Sequence, residues 1–136
     1  MIELSAESAR IAGIVLLTIV TIQFGGVFLL RIVRGQVPMT QFQKDFARAG
    51  HAHAGVLVTL GLVCLVLADA TDLTGFAGWV ARAGVPISAI FMSAGFFLSS
   101  IGKNVTQPNK LIALLWIGAA FLAAGVVTLG IGLLMV

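Results

Sequence analysis

The chain has 136 residues, of which 60% are hydrophobic and only 10% are charged, with a mean hydropathy of +1.12. Soluble domains carry charged residues at about a quarter of the chain, so this composition belongs to a membrane protein and excludes disordered and nucleic-acid-binding classes. The formal charge of +3, from eight Lys/Arg against five Asp/Glu, is too sparse for a basic patch, and the single Cys64 excludes an intrachain disulfide or a Cys-based zinc site.

Four apolar runs approach the ~20 residues needed to cross a ~30 Å hydrocarbon layer: Ile11 to Leu30, Gly50 to Ala68, Val85 to Ile101 and Leu111 to Val136. With their polar flanks they predict helices over about residues 8–33, 46–69, 76–102 and 109–136, hence one all-α, four-helix integral membrane domain covering 1–136. The first run is not expected to be a cleaved leader. Glu3 and Glu7 precede Arg10 where a positive segment belongs, and Phe24-Gly25-Gly26-Val27-Phe28 offers no small-residue cleavage site.

The connections are marked by turn-formers: Gly35 and Pro38, then Asp72 and Gly75, then Asn104, Pro108 and Asn109. The first and third hold Arg31, Arg34, Lys44, Arg48, Lys103 and Lys110, whereas the N-terminus and second hold Arg10 and Arg82 beside Glu3, Glu7, Asp69 and Asp72. The positive-inside rule therefore predicts that the first and third loops are cytoplasmic and both termini lie outside. Trp79 and Trp116 fall near helix ends, at headgroup level. Gly25, Gly26, Gly55, Gly61, Gly95, Gly118, Gly125 and Gly130 admit close approach of a neighbouring backbone or of a flat cofactor. The Gly/Ala faces of the last three helices exceed what one four-helix core can use, which predicts a small homo-oligomer.

Chemistry concentrates in Lys44-Asp45-Phe46-Ala47-Arg48-Ala49-Gly50-His51-Ala52-His53-Ala54-Gly55, at the start of the second run. At ~100° per residue, His51 and His53 project ~200° apart and cannot readily ligate one metal together. His51 shares a stripe with Arg48, Gly55 and Thr59, and His53 one with Ala49, Gly50, Val56, Leu57 and Leu60. His51 can be read as an interfacial histidine. His53 enters the apolar run between small neighbours, a setting suited to binding the iron of a haem, with Arg48 available to its propionates. Most helix hydroxyls are expected to bond locally, and Met92, the one methionine placed to be a second axial ligand, reads first as core filling. No Ser-His-Asp triad, carboxylate pair, phosphate loop or row of intramembrane charges is present.

The assembled pattern resembles styrene oxide isomerase, a small four-helix membrane enzyme. That family opens its second helix with Ala-Arg-Ala-His-Ser-Gly-Pro-Ala-Leu-Asn-Gly, and this chain keeps Ala-His-x-Gly in Ala52-His53-Ala54-Gly55. Phe24-Gly25 followed by Val33-Arg34-Gly35 approximates the family's Phe-Gly and Val-Gly-Gly. Gly95-Phe96-Phe97-Leu98 is similar to its Gly-Phe-Tyr-Leu, with Asn104 and Pro108 in the loop beyond.

The resemblance implies a haem b protein, a homotrimer with haem at the subunit interface, His53 as axial ligand, and ferric iron opening a hydrophobic epoxide to a carbonyl compound by Lewis-acid catalysis. The family's pocket-lining Asn and Tyr are Thr59 and Phe97 here, and its Arg two residues before the ligand is His51. Small relatives of oxidase subunit I also carry Gly-His-Ala-His strings. A non-catalytic haem protein that senses a ligand or passes electrons, and a structural subunit of a larger membrane complex, are the alternative readings.

Overall fold

The computed structural model describes residues 3–136 and is helical throughout: α1 (Ala6–Val33), α2 (Gln41–Ala68), α3 (Gly75–Ser99) and α4 (Ala113–Leu134), the last preceded by a 3-10 turn over Lys110–Ile112. All four helices are long and apolar enough to cross a membrane. At 1.5 Å per residue the 28-residue α1 and α2 reach about 42 Å, longer than a hydrocarbon layer. Their surface is what a bilayer would cover: Leu17 is 74% exposed, Phe24 70%, Ile90 67% and Trp116 76%. The chain is accordingly an all-α, four-helix integral membrane protein.

α2 starts five residues before the expected Phe46. Thr40 and Gln43 form a reciprocal capping box, the Thr40 hydroxyl accepting from the Gln43 N–H and the Gln43 side chain accepting from the Thr40 N–H. Gln43 is 3% exposed, and its amide also donates to the carbonyls of Ser100 and Gly102, both at 2.9 Å. The Thr40 hydroxyl donates to Val105 O. Together these bonds tie the start of α2 to the end of α3, which closes at Ser99, short of the expected residue 102.

A second clamp joins the opposite end. Asp69, the C-cap of α2, and Arg82, about two turns into α3, form an ion pair at 2.8 Å with side chains only 3% and 11% exposed. The carboxylate also accepts from the Ser5 N–H, the Ser5 hydroxyl and the Ser8 hydroxyl, which fixes the start of α1. Counted in the sequence as loop charges, Asp69 and Arg82 are in fact a buried structural pair.

Between the clamps the helices stand in a row rather than a closed ring. α3 packs along both α2 and α4, α1 packs on α2 and barely meets α3, and α1 and α4 do not touch among the described residues. Because lipid tails are as apolar as the side chains, close packing and not water exclusion holds such helices together, and it uses small residues. A Cβ on Gly84 would lie 2.8 Å from Gly125 Cα, and one on Gly118 would lie 2.8 Å from Met92 N. Gly61 accepts the Pro86 ring of α3 in the same manner. Gly84, Gly95, Gly118 and Gly125 of α3 and α4 are thus consumed inside the chain. Only Gly13, Gly55 and Gly130 among the mid-helix glycines face open space, so the surplus expected for subunit contacts is smaller than the sequence suggests.

Candidate functional site

Because α2 begins at Gln41, His51 and His53 lie about 15 and 18 Å along it rather than at its start. The two imidazoles serve different faces. His51 turns toward α1, where Gly25 and Gly26 form a notch for its ring: a Cβ on Gly25 would be 3.1 Å from Nδ1, and one on Gly26 3.6 Å from Cε1. Any larger residue at Gly25 would press on the imidazole. The ring makes no hydrogen bond to protein among the described residues. With Gly55 and Thr59, His51 lines an open side of α2.

His53 turns to the other side, toward α3. Its ring lies 4.8 Å from that of Phe96, tilted by 38°, and Phe46 meets the same Phe96 edge-on at 5.4 Å. His53 Nδ1 is 2.8 Å from Ala49 O. A carbonyl can only accept, so Nδ1 carries the proton and donates, and in the neutral ring Nε2 keeps its lone pair. That is the tautomer a metal-ligating histidine needs, held by the kind of backbone bond that commonly orients such ligands.

The two candidate pocket positions are not brought together in one chain. The Thr59 side chain is exposed on the open face of α2, and its hydroxyl donates back to Gly55 O at 2.9 Å. Phe97 lies between α2 and α3 with its ring over Gly50, where a Cβ would come within 2.9 Å of Cε2. Arg48 is exposed and pairs with Asp45 at 3.6 Å, a contact that leaves its guanidinium free to exchange partners. Met92 is packed under Gly118 at the α3/α4 contact, which fits core filling, and Cys64 is buried in the apolar cluster with Ala68, Ala81, Val85 and Leu129.

No protein-family model, curated protein or solved structure matches the chain. Among the described residues no three His, Cys, Asp or Glu gather to hold a bare metal ion. A haem brings four nitrogens to its iron and asks the protein for one or two axial ligands, so the donor set at His53 fits that group where it would not fit a free ion.

Sequence reasoning missed both end clamps and one wide groove. The groove, of about 440 Å³, runs between α1 and α3 over a floor of α2 residues that includes Ala54 and Val58. The Thr40-x-x-Gln43 spacing is itself a capping signal and could have been read. The pairing of Asp69 with Ser5 and Ser8, more than sixty residues apart, leaves no local trace.

Proposed function

We propose that the chain is an integral membrane haem b protein of the styrene oxide isomerase type, with His53 as the axial ligand of the iron. The observation that carries this reading is the 2.8 Å bond between His53 Nδ1 and Ala49 O, which leaves Nε2 as the one imidazole nitrogen with a fixed free lone pair. Gly55 and the open side of α2 lie on the face of His51, so a ring ligated by His53 would sit on the α3 side, beside Phe96. Arg48 supplies a cation for the propionates, and His51 occupies the neighbouring face. Bound there, haem would supply a ferric Lewis acid able to polarise the oxygen of a hydrophobic epoxide. The half-open row of helices supports assembly with further copies of the chain, a homotrimer in the resemblance, which would complete the walls of the site. The charge asymmetry supports an inner-membrane orientation with the first and third loops cytoplasmic and the termini outside.

The positions of Thr59 and Phe97 favour a non-catalytic form of the same reading. Stabilising a developing charge needs polar groups aimed at it. Here the Thr59 hydroxyl is spent on its own helix, Phe97 lacks a phenol, and the two do not share a cavity within the chain. Ligand sensing or electron transfer then replaces isomerisation.

The test is to purify the protein, quantify haem b per chain, and offer an aryl epoxide to the ferric form while following aldehyde. One haem per chain or per interface with aldehyde formation supports the enzyme. Haem with no spectral response to epoxide, in the native chain and in a Thr59→Asn/Phe97→Tyr variant alike, leaves the non-catalytic form. A colourless protein expressed with ample haem overturns both in favour of a structural subunit. Crosslinking in native membranes that returns only monomer removes the oligomer. Thiol labelling of cysteines placed at Lys44 and Asp72 in a Cys64→Ala background decides the orientation.

A further inference from the structure

The groove between α1 and α3 is not used by the haem reading, and it has the form of a ligand site. α2 forms its floor, and small residues, Ala54 and Ala83 among them, keep it open. Along α3 it extends from Trp79 to Ser93 and along α1 from Ile11 to Ile22, a length of roughly 16 to 21 Å at 1.5 Å per residue. Trp79 marks the end nearer the Asp69 clamp. Thr21, Ala54 and Ser93 mark the end level with the histidines.

The hydroxyls of the helices, of which Thr18, Thr21 and Ser93 line the groove, separate into two kinds. Thr18, Thr21, Thr59, Ser88, Ser99 and Ser100 all donate to carbonyls three or four residues back on their own helices. Ser93 does not. Its Oγ is the one buried side-chain polar atom without a hydrogen-bond partner among the described residues. An unpaired hydroxyl in an apolar wall is costly, and inside a bilayer no water is at hand to relieve it.

We propose that this groove binds one long-chain, lipid-soluble molecule carrying a hydrogen-bond-accepting oxygen at one end. The oxygen end is received by Ser93 after a rotamer change of its hydroxyl, and the hydrocarbon lies along α3 toward Trp79. A bulk lipid tail would fill the groove by shape alone, but the unpaired hydroxyl at one end selects a molecule that brings an acceptor there. The ligand enters laterally from the bilayer, since the groove is bounded by helices on three sides and the gap between α1 and α3 forms the fourth. The proposal goes beyond the haem reading and stands whether or not haem is bound.

The test uses the full chain in phosphatidylcholine nanodiscs with Trp116→Phe, so that Trp79 is the only indole. A terminally brominated hexadecanol places its hydroxyl at Ser93 and its bromine near Trp79. Quenching of Trp79 should saturate at low probe fraction and be reversed by unbrominated hexadecanol. Binding should weaken about two- to tenfold in Ser93→Ala, and should be lost in Ala83→Leu, which fills the groove. Competition by the unbrominated alcohol needs no substitution in the groove and so remains decisive if Ala83→Leu fails to fold. Quenching that rises linearly without saturation, shows no competition, or is equally strong with a brominated alkane lacking the hydroxyl would overturn the proposal. So would quenching seen only when subunits are dissociated, because a second copy would then be the occupant.

Discussion

Replacing Arg82 by Met should cost the protein about 3–5 kcal/mol, the range for removing one partner of a buried ion pair. The magnitude follows from what the substitution strands. Asp69 is 3% exposed and accepts from Ser5 N, Ser5 Oγ and Ser8 Oγ as well as from Arg82 Nε and Nη2, so Met would leave an anion in an apolar setting with three neutral donors. Removing both charges, Asp69→Asn with Arg82→Met, should cost less than Arg82→Met alone, because no buried charge is then unpaired. Burial raises the Asp69 carboxyl, but the Ser5 N–H, Arg82 and the Ser8 and Ser5 hydroxyls outweigh it and hold the carboxyl below its ordinary value of 3.8. A depressed folded-state value stabilises fully above pH 3.8 and is lost as pH falls below it, so the difference between native chain and double variant should shrink in that acid window. Helix unfolding in mixed detergent micelles, followed by circular dichroism for the four chains of the cycle at neutral pH and in acid, reads all of this. An Arg82→Met chain within about 0.5 kcal/mol of the native one would refute the clamp, since that is the range of an inconsequential surface change.

Gly84→Leu should unfold or strongly destabilise the chain, because its Cβ would meet Gly125 backbone at 2.8 Å; Gly130→Ala, which has open space, should be neutral or stabilising by up to about 1 kcal/mol on the same unfolding curves. Gln43→Ala should cost about 1–3 kcal/mol by freeing the carbonyls of Ser100 and Gly102, and hydrogen exchange should rise first in residues 100–105. Gly25→Leu should displace the His51 ring and leave the environment of His53 unchanged, visible as a shift of one imidazole set by NMR.

The four helices were legible because crossing a bilayer demands runs of apolar residues, and such runs survive any rearrangement of the side chains between them. The separation of His51 and His53 onto two faces was legible for a like reason: it follows from helical pitch alone. What could not be read was everything set by partners distant in sequence. Asp69 and Arg82 look like loop charges until Ser5 and Ser8 are seen beside them. The glycines of α3 and α4 look like subunit contacts until Gly84 meets Gly125 and Gly118 meets Met92. The start of α2 was misjudged because a capping box extends the helix over polar residues that a hydropathy count passes over.

Replacing each histidine in turn and recording the visible spectrum of the purified protein tests the proposed haem site most directly. The native chain, expressed with ample haem, should show a Soret band that His53→Ala abolishes and His51→Ala retains, because only His53 has a proton-bearing Nδ1 held by a backbone carbonyl and a free Nε2. A band that survives His53→Ala but disappears in His51→Ala, or no band in any of the three chains, would contradict the account.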